Sequence, residues 1–165
     1  MAQVVLAVGS NEGNPKENLD RAIAALSSVG TVGEVAPYII SKPEGYSQQA
    51  DFVNTVLILQ TELAPMPLLR ALKQLEKDLG RVPTFPNGPR VIDLDILFYD
   101  DKVIFEDTPE YTLFIPHPRI PEREFVLKPL SYILSDFVHP QLHEPIYMLY
   151  RKLMKKKGAP TCQIL

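Results

Sequence analysis

The sequence predicts an α+β fold, with its elements in the order β-α-β-β-α-β followed by a hairpin strand and C-terminal helices. Short runs rich in Val, Ile and Leu are typical of strands. They alternate with stretches in which apolar residues recur every three or four positions, as in amphipathic helices. Gly, Pro, Asn and Ser separate these stretches and mark turns. Together these observations favour one sheet covered by helices.

The first half of the chain supplies three predicted strands and one helix. Residues 3–8, "QVVLAV", form an apolar strand. Asn14 and Pro15 provide the N-cap and the first-turn proline of a helix. A second strand is predicted from Val32 to Ile40, and a third in the β-rich run "DFVNTVLILQTEL".

The second half begins with a leucine-rich helix from Met66 to Leu79. The strand in "VIDLDILFYD" follows, then a tight turn and a short returning strand from Val103 to Phe105. After a proline-rich loop, helices are predicted near Leu127 to Leu134 and from Ile146 to Lys156. This order is the ferredoxin-like sandwich, an architecture that serves RNA-binding modules, regulatory domains and enzymes alike.

Composition limits the class of protein. The 165 residues are expected to form one domain, 1–165, with 156–165 as a candidate flexible tail. A single cysteine, Cys162, and the lack of an apolar stretch of about 20 residues argue against a disulfide framework and a membrane span. The net charge of −3, with dispersed Lys and Arg, argues against nucleic-acid binding. We therefore expect a cytoplasmic, monomeric globular protein.

Two aspartates one residue apart interrupt an apolar strand. Asp93 and Asp95 point to one face of this strand, while Ile92, Leu94 and Ile96 point to the other. Because neighbouring carboxylates repel each other, a cation must lie near them or one must be protonated. Mg²⁺ prefers such oxygen ligands and completes its shell with water and phosphates. The alternative is that each aspartate caps a loop or pairs with an arginine.

Several arginines lie near this strand in the sequence. Arg81 and Arg90 bracket the stretch "RVPTFPNGPR", a loop able to close over a substrate and to bring guanidinium groups to phosphates. His117, held between two prolines, lies close to Arg119 and Arg123 and suggests a second phosphate-contacting cluster. The alternative is that the arginines lie on the surface and that the histidine is structural.

One polar residue also interrupts the third strand. Asn54 shares a strand face with Phe52, and its carboxamide offers the donor and the acceptor that the edge of a heterocycle needs. Phe52 and Phe125 are candidates to stack on the two sides of a flat ring. The alternative is a pair of core phenylalanines and an asparagine at a strand edge.

The motifs, in order, are "VGSN", "DFVN", "LEKDLGR", "GPRVIDLDIL" and "PHPRIPEREFVLKPL". Over about residues 4 to 134 they resemble the 6-hydroxymethyl-7,8-dihydropterin pyrophosphokinase family of folate biosynthesis. The resemblance implies transfer of the β,γ-diphosphate of ATP to the hydroxymethyl group of a reduced pterin, with release of AMP. It also implies two Mg²⁺ ions that bind together with ATP.

The resemblance assigns a role to each matching position. Asp93 and Asp95 correspond to the Mg²⁺ ligands, and Arg81 and Arg90 to the loop arginines that act catalytically on the triphosphate. The positions that correspond to the ATP site are Glu76, Ile96, His117, Arg119 and Arg123. The positions that correspond to the pterin pocket are Ser41, Pro43, Glu44, Gly45, Phe52, Asn54 and Phe125.

Three positions depart from the family pattern. Asn87 stands where the family commonly has a tryptophan, which leaves Phe85 as the candidate stacking residue. Pro83, Thr84 and Pro86 occupy a loop that usually carries further basic residues, and Lys73 replaces a usual glutamine. We still expect an active enzyme. The alternatives are a catalytically weakened member that binds pterin or nucleotide, and a non-enzymatic ferredoxin-like binding module.

Overall fold

The computed structural model describes residues 1–165. The elements, which carry the labels used below, are β1 (Ala2–Ser10), α1 (Pro15–Ala25), β2 (Thr31–Val35), β3 (Ile39–Ser41), β4 (Phe52–Thr61), α2 (Pro65–Asp78), β5 (Asp93–Tyr99), β6 (Ile104–Asp107), β7 (Thr112–Ile115), α3 (Glu124–Ile133), α4 (Ile146–Lys157) and β8 (Gln163–Ile164).

One antiparallel sheet with the strand order β5-β1-β4-β3-β8 organises the molecule, and β2 also pairs with β4. α1 and α2 cover one face through a core that includes Leu6, Leu57 and Leu94. α3 and α4 cover the other face around Val5 and Val56. This arrangement confirms the predicted α+β, ferredoxin-like class.

The register brings the polar residues of β4 and β5 to one end of this sheet, on either side of β1. Gly9 in β1 lies opposite both Asn54 in β4 and Asp93 in β5. Ala7, on the same face of β1, lies opposite Asp95. A Cβ atom at Gly9 would lie 2.7 Å from Asn54 Oδ1. Only glycine therefore leaves room for the Asn54 carboxamide at this position.

Two predicted strands differ from those observed. The predicted strand from Val32 to Ile40 is two strands, β2 and β3, because Pro37 lies between them and has no N–H to donate to a ladder. The predicted returning strand does not pair with β5. It forms β6 and pairs with β7, which was not predicted. The outer edge of β5 is already bonded elsewhere, since Leu97 O accepts from His117 N at 2.9 Å.

The C-terminal helices lie close to their predicted positions, whereas β8 lies within residues 156–165, where no strand was predicted. The two C-terminal helices are α3, which begins three residues earlier than expected, and α4. Residues 163–164 form β8 and pair with β3. None of the helices combines the length and apolar character needed to cross a membrane.

Candidate active site

A cavity opens on the α3 face of the sheet, at the end where Asn54 and Asp93 meet. The space inside it, including its mouth and the open solvent there, is about 680 Å³. The predicted site residues that line it are Ser41, Glu44, Phe52, Asn54, Arg90, Asp93, Asp95, Arg123 and Phe125. The sequence motifs, far apart in the chain, therefore meet in one place.

The two aspartates lie in different electrostatic settings. Asp93 Oδ1 accepts from Arg81 Nη1 at 3.0 Å, and Asp93 Oδ2 accepts from Arg90 Nη1 at 3.2 Å. Asp95 forms no comparable ion pair, and its burial together with the nearby charge of Asp93 raises its pKa to about 7. The cavity wall thus carries a carboxylate whose charge is only partly compensated, a setting that favours a cation.

The turn after α2 determines where Arg81 points. Gly80 has φ = 101° and directly follows the end of the helix, a conformation that glycine adopts without strain. The turn lets Arg81 N donate to Glu76 O at 2.9 Å. The Arg81 guanidinium then lies 2.8 Å from Glu76 Oε1 as well as beside Asp93.

Glu76 connects α2 to the strand that carries the aspartates. β5 is at the edge of the sheet, and the Leu94 N–H, between Asp93 and Asp95, donates to Glu76 Oε2 at 2.7 Å. Glu76 is only 2% exposed, and Lys73 Nζ lies 3.4 Å from its other oxygen. Glu76 therefore satisfies an edge N–H that would otherwise be buried without a partner.

A second cavity adjoins the first, between α2 and residues 81–90, called here the lid loop. Lys73, Lys77, Arg81 and Arg90 all line it. This concentration of positive charge beside the acidic pair suits a polyanion that bridges the two cavities. Lys77 lies within the "LEKDLGR" motif, but sequence reasoning did not assign it to the site.

Two arginines offer donors that the protein itself does not use. The buried Nε atoms of Arg90 and Arg123 have no hydrogen-bond partner, although both residues line the first cavity. Arg123 Nη2 lies 3.0 Å from Glu44 Oε2, and its guanidinium lies 5.3 Å from the centre of the Phe125 ring. A buried donor without a partner costs free energy, which an anionic ligand recovers.

Uncharged side chains form another part of the cavity lining. Asn54 Nδ2 donates to Ser41 Oγ at 2.6 Å, and both side chains are buried. This bond fixes the carboxamide plane of Asn54. Phe52 and Phe125 line the same part of the cavity, as expected for a pocket that holds a flat ring by its faces and reads its edge.

The lid loop closes against residues 42–51. Phe85 packs edge-on against Tyr46 with the ring centres 4.9 Å apart, and Gln49 Nε2 donates to Asn87 O at 2.6 Å. Asn87 has φ = 60°, a left-handed conformation that asparagine tolerates better than most residues. Gly45 lies so close that a Cβ there would be 2.7 Å from Asn87 Nδ2.

Asn11 ties these loops to the sheet. Its Oδ1 accepts from Arg90 N at 2.8 Å, and its Nδ2 donates to Gln49 Oε1 at 2.8 Å and to Ala50 O at 2.9 Å. Asn11 is buried and thereby positions the backbone of Arg90. Sequence reasoning did not assign it to the site, although its place in "VGSN", directly after β1, was the available signal.

His117 is held in its neutral form. Burial, reinforced by the charge of Arg123, lowers its pKa to about 4. Its Nδ1 accepts from Arg119 N at 3.1 Å, which leaves the proton on Nε2. His117 can therefore donate a hydrogen bond but carries no charge at neutral pH.

Comparison with known proteins identifies the family. Residues 5–135 match the family described as 7,8-dihydro-6-hydroxymethylpterin-pyrophosphokinase (HPPK). The chain belongs to this family. The match confirms the family that the sequence motifs predicted.

Relatives from distant organisms share this sequence. A 2-amino-4-hydroxy-6-hydroxymethyldihydropteridine pyrophosphokinase of Aquifex aeolicus is 37% identical over 146 residues, which are 88% of this chain and 89% of that protein. The folic acid synthesis protein FOL1 of Dictyostelium discoideum is 43% identical over 140 residues, which are 85% of this chain but 21% of that protein. The chain thus spans about a fifth of the length of FOL1 and of similar fungal relatives.

Solved structures share the fold of this HPPK chain. The crystal structure of wild-type Plasmodium falciparum HPPK-DHPS with pteroate superposes with a TM-score of 0.81 at 16% identity. The superposition covers 95% of this chain and 46% of the other. At this identity the likeness concerns the fold.

Some residues assigned by resemblance lie outside the two cavities. Ile96 is buried in the core between the sheet and α1 and α2. Pro43, Gly45, His117 and Arg119 line neither cavity. Their roles stay predictions, as do the roles assigned to the residues that do line the cavities.

Proposed function

We propose that this chain transfers the β,γ-diphosphate of ATP to the hydroxymethyl group of 6-hydroxymethyl-7,8-dihydropterin. The products are AMP and the pterin diphosphate, and the reaction serves folate biosynthesis. Membership of the HPPK family supports the reaction class. The observation that carries the proposal is a single cavity lined by an acidic pair, two arginines with unpaired donors, an asparagine and two aromatic rings.

Asp93 and Asp95 fit Mg²⁺ that binds together with nucleotide. Their oxygens are hard ligands on one strand face, and Asp95 has no compensating ion pair. No group of three or more His, Cys, Asp or Glu is arranged around a metal position, so the shell needs phosphate and water oxygens as well. We propose two such ions, which when bound neutralise phosphate charge and lower the pKa of the acceptor hydroxyl.

The side chains of the protein supply alignment and charge. Arg81 and Arg90 reach the acidic end of the cavity from opposite ends of the lid loop, where their guanidinium groups can hold phosphate oxygens in line with the acceptor. Arg123 offers its unpaired Nε from α3. Because phosphoryl transfer depends mainly on positioning and charge stabilisation, these groups suffice without a dedicated general base.

The pterin end of the cavity holds the acceptor. Asn54, fixed by Ser41, presents its remaining carboxamide groups to the ring edge, and Phe52 and Phe125 exclude water from the ring faces. Asn87, which stands where the family commonly has a tryptophan, and Gly88 line this cavity, whereas Phe85 lines the second cavity and packs against Tyr46. We propose that lid closure also excludes water that would compete with the pterin hydroxyl.

One observation favours a second candidate function. Phe85 and Asn87 already hold the lid loop against residues 42–51, and the loop between its two end arginines carries no further basic residue. A stiff lid with little charge is what we expect in a family member that binds pterin and nucleotide but turns over slowly. A non-enzymatic ferredoxin-like module has no such support, because the acidic pair repels phosphates in the absence of a cation.

The domain organisation, oligomeric state and compartment of the protein are proposals as well. We propose that residues 1–165 act as one domain, as a cytoplasmic monomer that binds neither nucleic acid nor membrane. The single cysteine, Cys162, is buried and forms no disulfide, which suits a reducing compartment. Light scattering of the purified chain tests the monomeric state.

The function is tested by measuring AMP production from Mg-ATP with and without the pterin. AMP that appears only with both pterin and Mg²⁺ supports the proposed transfer. AMP that appears without pterin indicates ATP hydrolysis and contradicts it. If calorimetry shows pterin binding but no AMP is formed, the chain is a catalytically weakened member of the family.

A further inference from the structure

The last residues of the chain pair with β3, the strand that ends at the cavity-lining residue Ser41. β8 pairs with β3 through Ile39 opposite Ile164 and Ile40 opposite Gln163, and Leu165 N donates to Tyr38 O at 2.9 Å. β3 has only three residues, and without β8 it would be a very short edge strand with unpaired backbone groups.

A buried carboxylate anchors this segment to α3. Glu124, 3% exposed, accepts at Oε1 from Lys157 Nζ at 2.7 Å and from Thr161 Oγ1 at 2.9 Å. Its Oε2 accepts from Thr161 N at 3.0 Å and from Cys162 N at 2.8 Å. Although burial raises the pKa of Glu124, these bonds outweigh it and hold the pKa at about 2. The carboxylate is therefore charged and fully bonded.

A second bond holds the same segment to α3. Lys128 Nζ, one turn further along the helix, donates to Cys162 O at 2.9 Å. Both backbone polar groups of Cys162 are thus bonded to side chains of α3, and its own side chain is buried. The segment is fixed at several points along its length.

The segment connects two separate walls of the proposed pterin pocket. On one side it pairs with β3, whose last residue, Ser41, lines the cavity and holds Asn54. On the other side it binds Glu124, whose two neighbours in sequence, Arg123 and Phe125, line the same cavity. A displacement of the segment would leave β3 held by β4 alone and would remove the direct connection between β3 and Glu124.

We infer that Glu124 and residues 161–165 form a clasp that sets the spacing between the Ser41 wall and the Phe125 wall of the pterin pocket. The inference rests on the proposed function in so far as the pocket takes a pterin. Glu124 is a positioning residue, since its carboxylate is used entirely within the protein. The acidic pair and the lid loop lie on segments that the clasp does not contact. Arg123 is the one proposed nucleotide contact next to Glu124, so nucleotide binding should weaken less than pterin binding.

The test compares Glu124→Gln, and a chain that ends at Pro160, with the unaltered protein. Calorimetry measures the Kd of the pterin and, separately, that of a non-hydrolysable ATP analogue with Mg²⁺. Hydrogen exchange follows the backbone amides of residues 39–41. Glu144→Gln is the control, because Glu144 also pairs with a lysine, Lys152, and neither residue lines a cavity.

We expect the pterin Kd to rise about tenfold or more in both variants, because several bonds to a charged group are lost. The Kd of the ATP analogue should change less than threefold, and the amides of residues 39–41 should exchange faster. Thr161→Val removes the hydroxyl bond to Glu124 and the bond that the same hydroxyl accepts from Lys157 Nζ, and it leaves the backbone bonds in place. It should show the same pattern with a smaller shift and provides the test if the stronger variants do not fold.

Three outcomes overturn the inference. They are a folded Glu124→Gln variant with an unchanged pterin Kd, an equal loss of affinity for both ligands, and unchanged exchange at residues 39–41. If the unaltered protein binds no pterin, the proposed function fails, and the exchange rates at residues 39–41 still decide whether the clasp holds β3.

Discussion

Replacing Glu76 by alanine tests how β5 is held in place. The substitution removes the acceptor of the Leu94 N–H, which lies between the two aspartates, and one of the two carboxylates that pair with Arg81. Because Glu76 is 2% exposed, water does not readily replace the lost acceptor. The edge of β5 then has a buried donor without a partner.

The size of the effect follows from these contacts. A buried donor left without its partner costs about 1–3 kcal/mol. Loss of the charge pair adds less than the roughly 3–5 kcal/mol of a fully buried pair, because Arg81 is 23% exposed and keeps Asp93 as a partner. Relief of the repulsion between Glu76 and Asp95 offsets part of the loss. We expect a net destabilisation of about 3 kcal/mol for alanine.

Urea unfolding followed by circular dichroism, without ligands, measures this difference. Glu76→Gln should cost less, about 1–2 kcal/mol, because its carbonyl oxygen can still accept from Leu94 N. Gln74→Ala, on the exposed side of the same helix, is the control and should change stability by less than about 0.5 kcal/mol. A loss of under 1 kcal/mol in Glu76→Ala would refute the role assigned to this bond.

Three further predictions concern the charged groups. Asp95→Asn should abolish transfer and, without Mg²⁺, should raise the melting temperature at pH 8, because burial and the charge of Asp93 raise the pKa of Asp95 and its ionised form opposes folding. Normal turnover or a lower melting temperature contradicts this. Arg90→Ala should lower kcat about 100-fold with little change in pterin KM, whereas an effect on pterin affinity alone contradicts a role in the transfer step. The depressed pKa of Glu124 means that its contribution, about 3 kcal/mol, is present above pH 4.5 and disappears as the pH falls towards 2. Glu124→Gln should therefore flatten the dependence of unfolding free energy on pH in that range, and an unchanged slope contradicts the assignment.

Local patterns predicted the parts of the site that lie on single elements. The period of two along a strand predicted that Asp93 and Asp95 share a face, because that period is a property of any strand. The same reasoning placed Asn54 beside Phe52. The N-cap bond from Glu17 N to Asn14 Oδ1 at 3.2 Å also follows from the local sequence.

Contacts between elements were harder to predict. The bond from Leu94 N to Glu76 depends on β5 being an edge strand, which follows from the strand order of the whole sheet. β8 has two residues, too few to show a period, and it is held largely through backbone groups that any sequence possesses. β6 and β7 pair with each other for a similar reason, since the choice of partner depends on which edges are free.

The proposed reaction moves a β,γ-diphosphate, rather than a single phosphate, from ATP to the pterin. Phosphorus NMR of the products formed from Mg-ATP and 6-hydroxymethyl-7,8-dihydropterin distinguishes the two transfers. We expect AMP and a pterin that carries two coupled phosphorus signals. ADP together with a pterin that carries one phosphorus signal would contradict it.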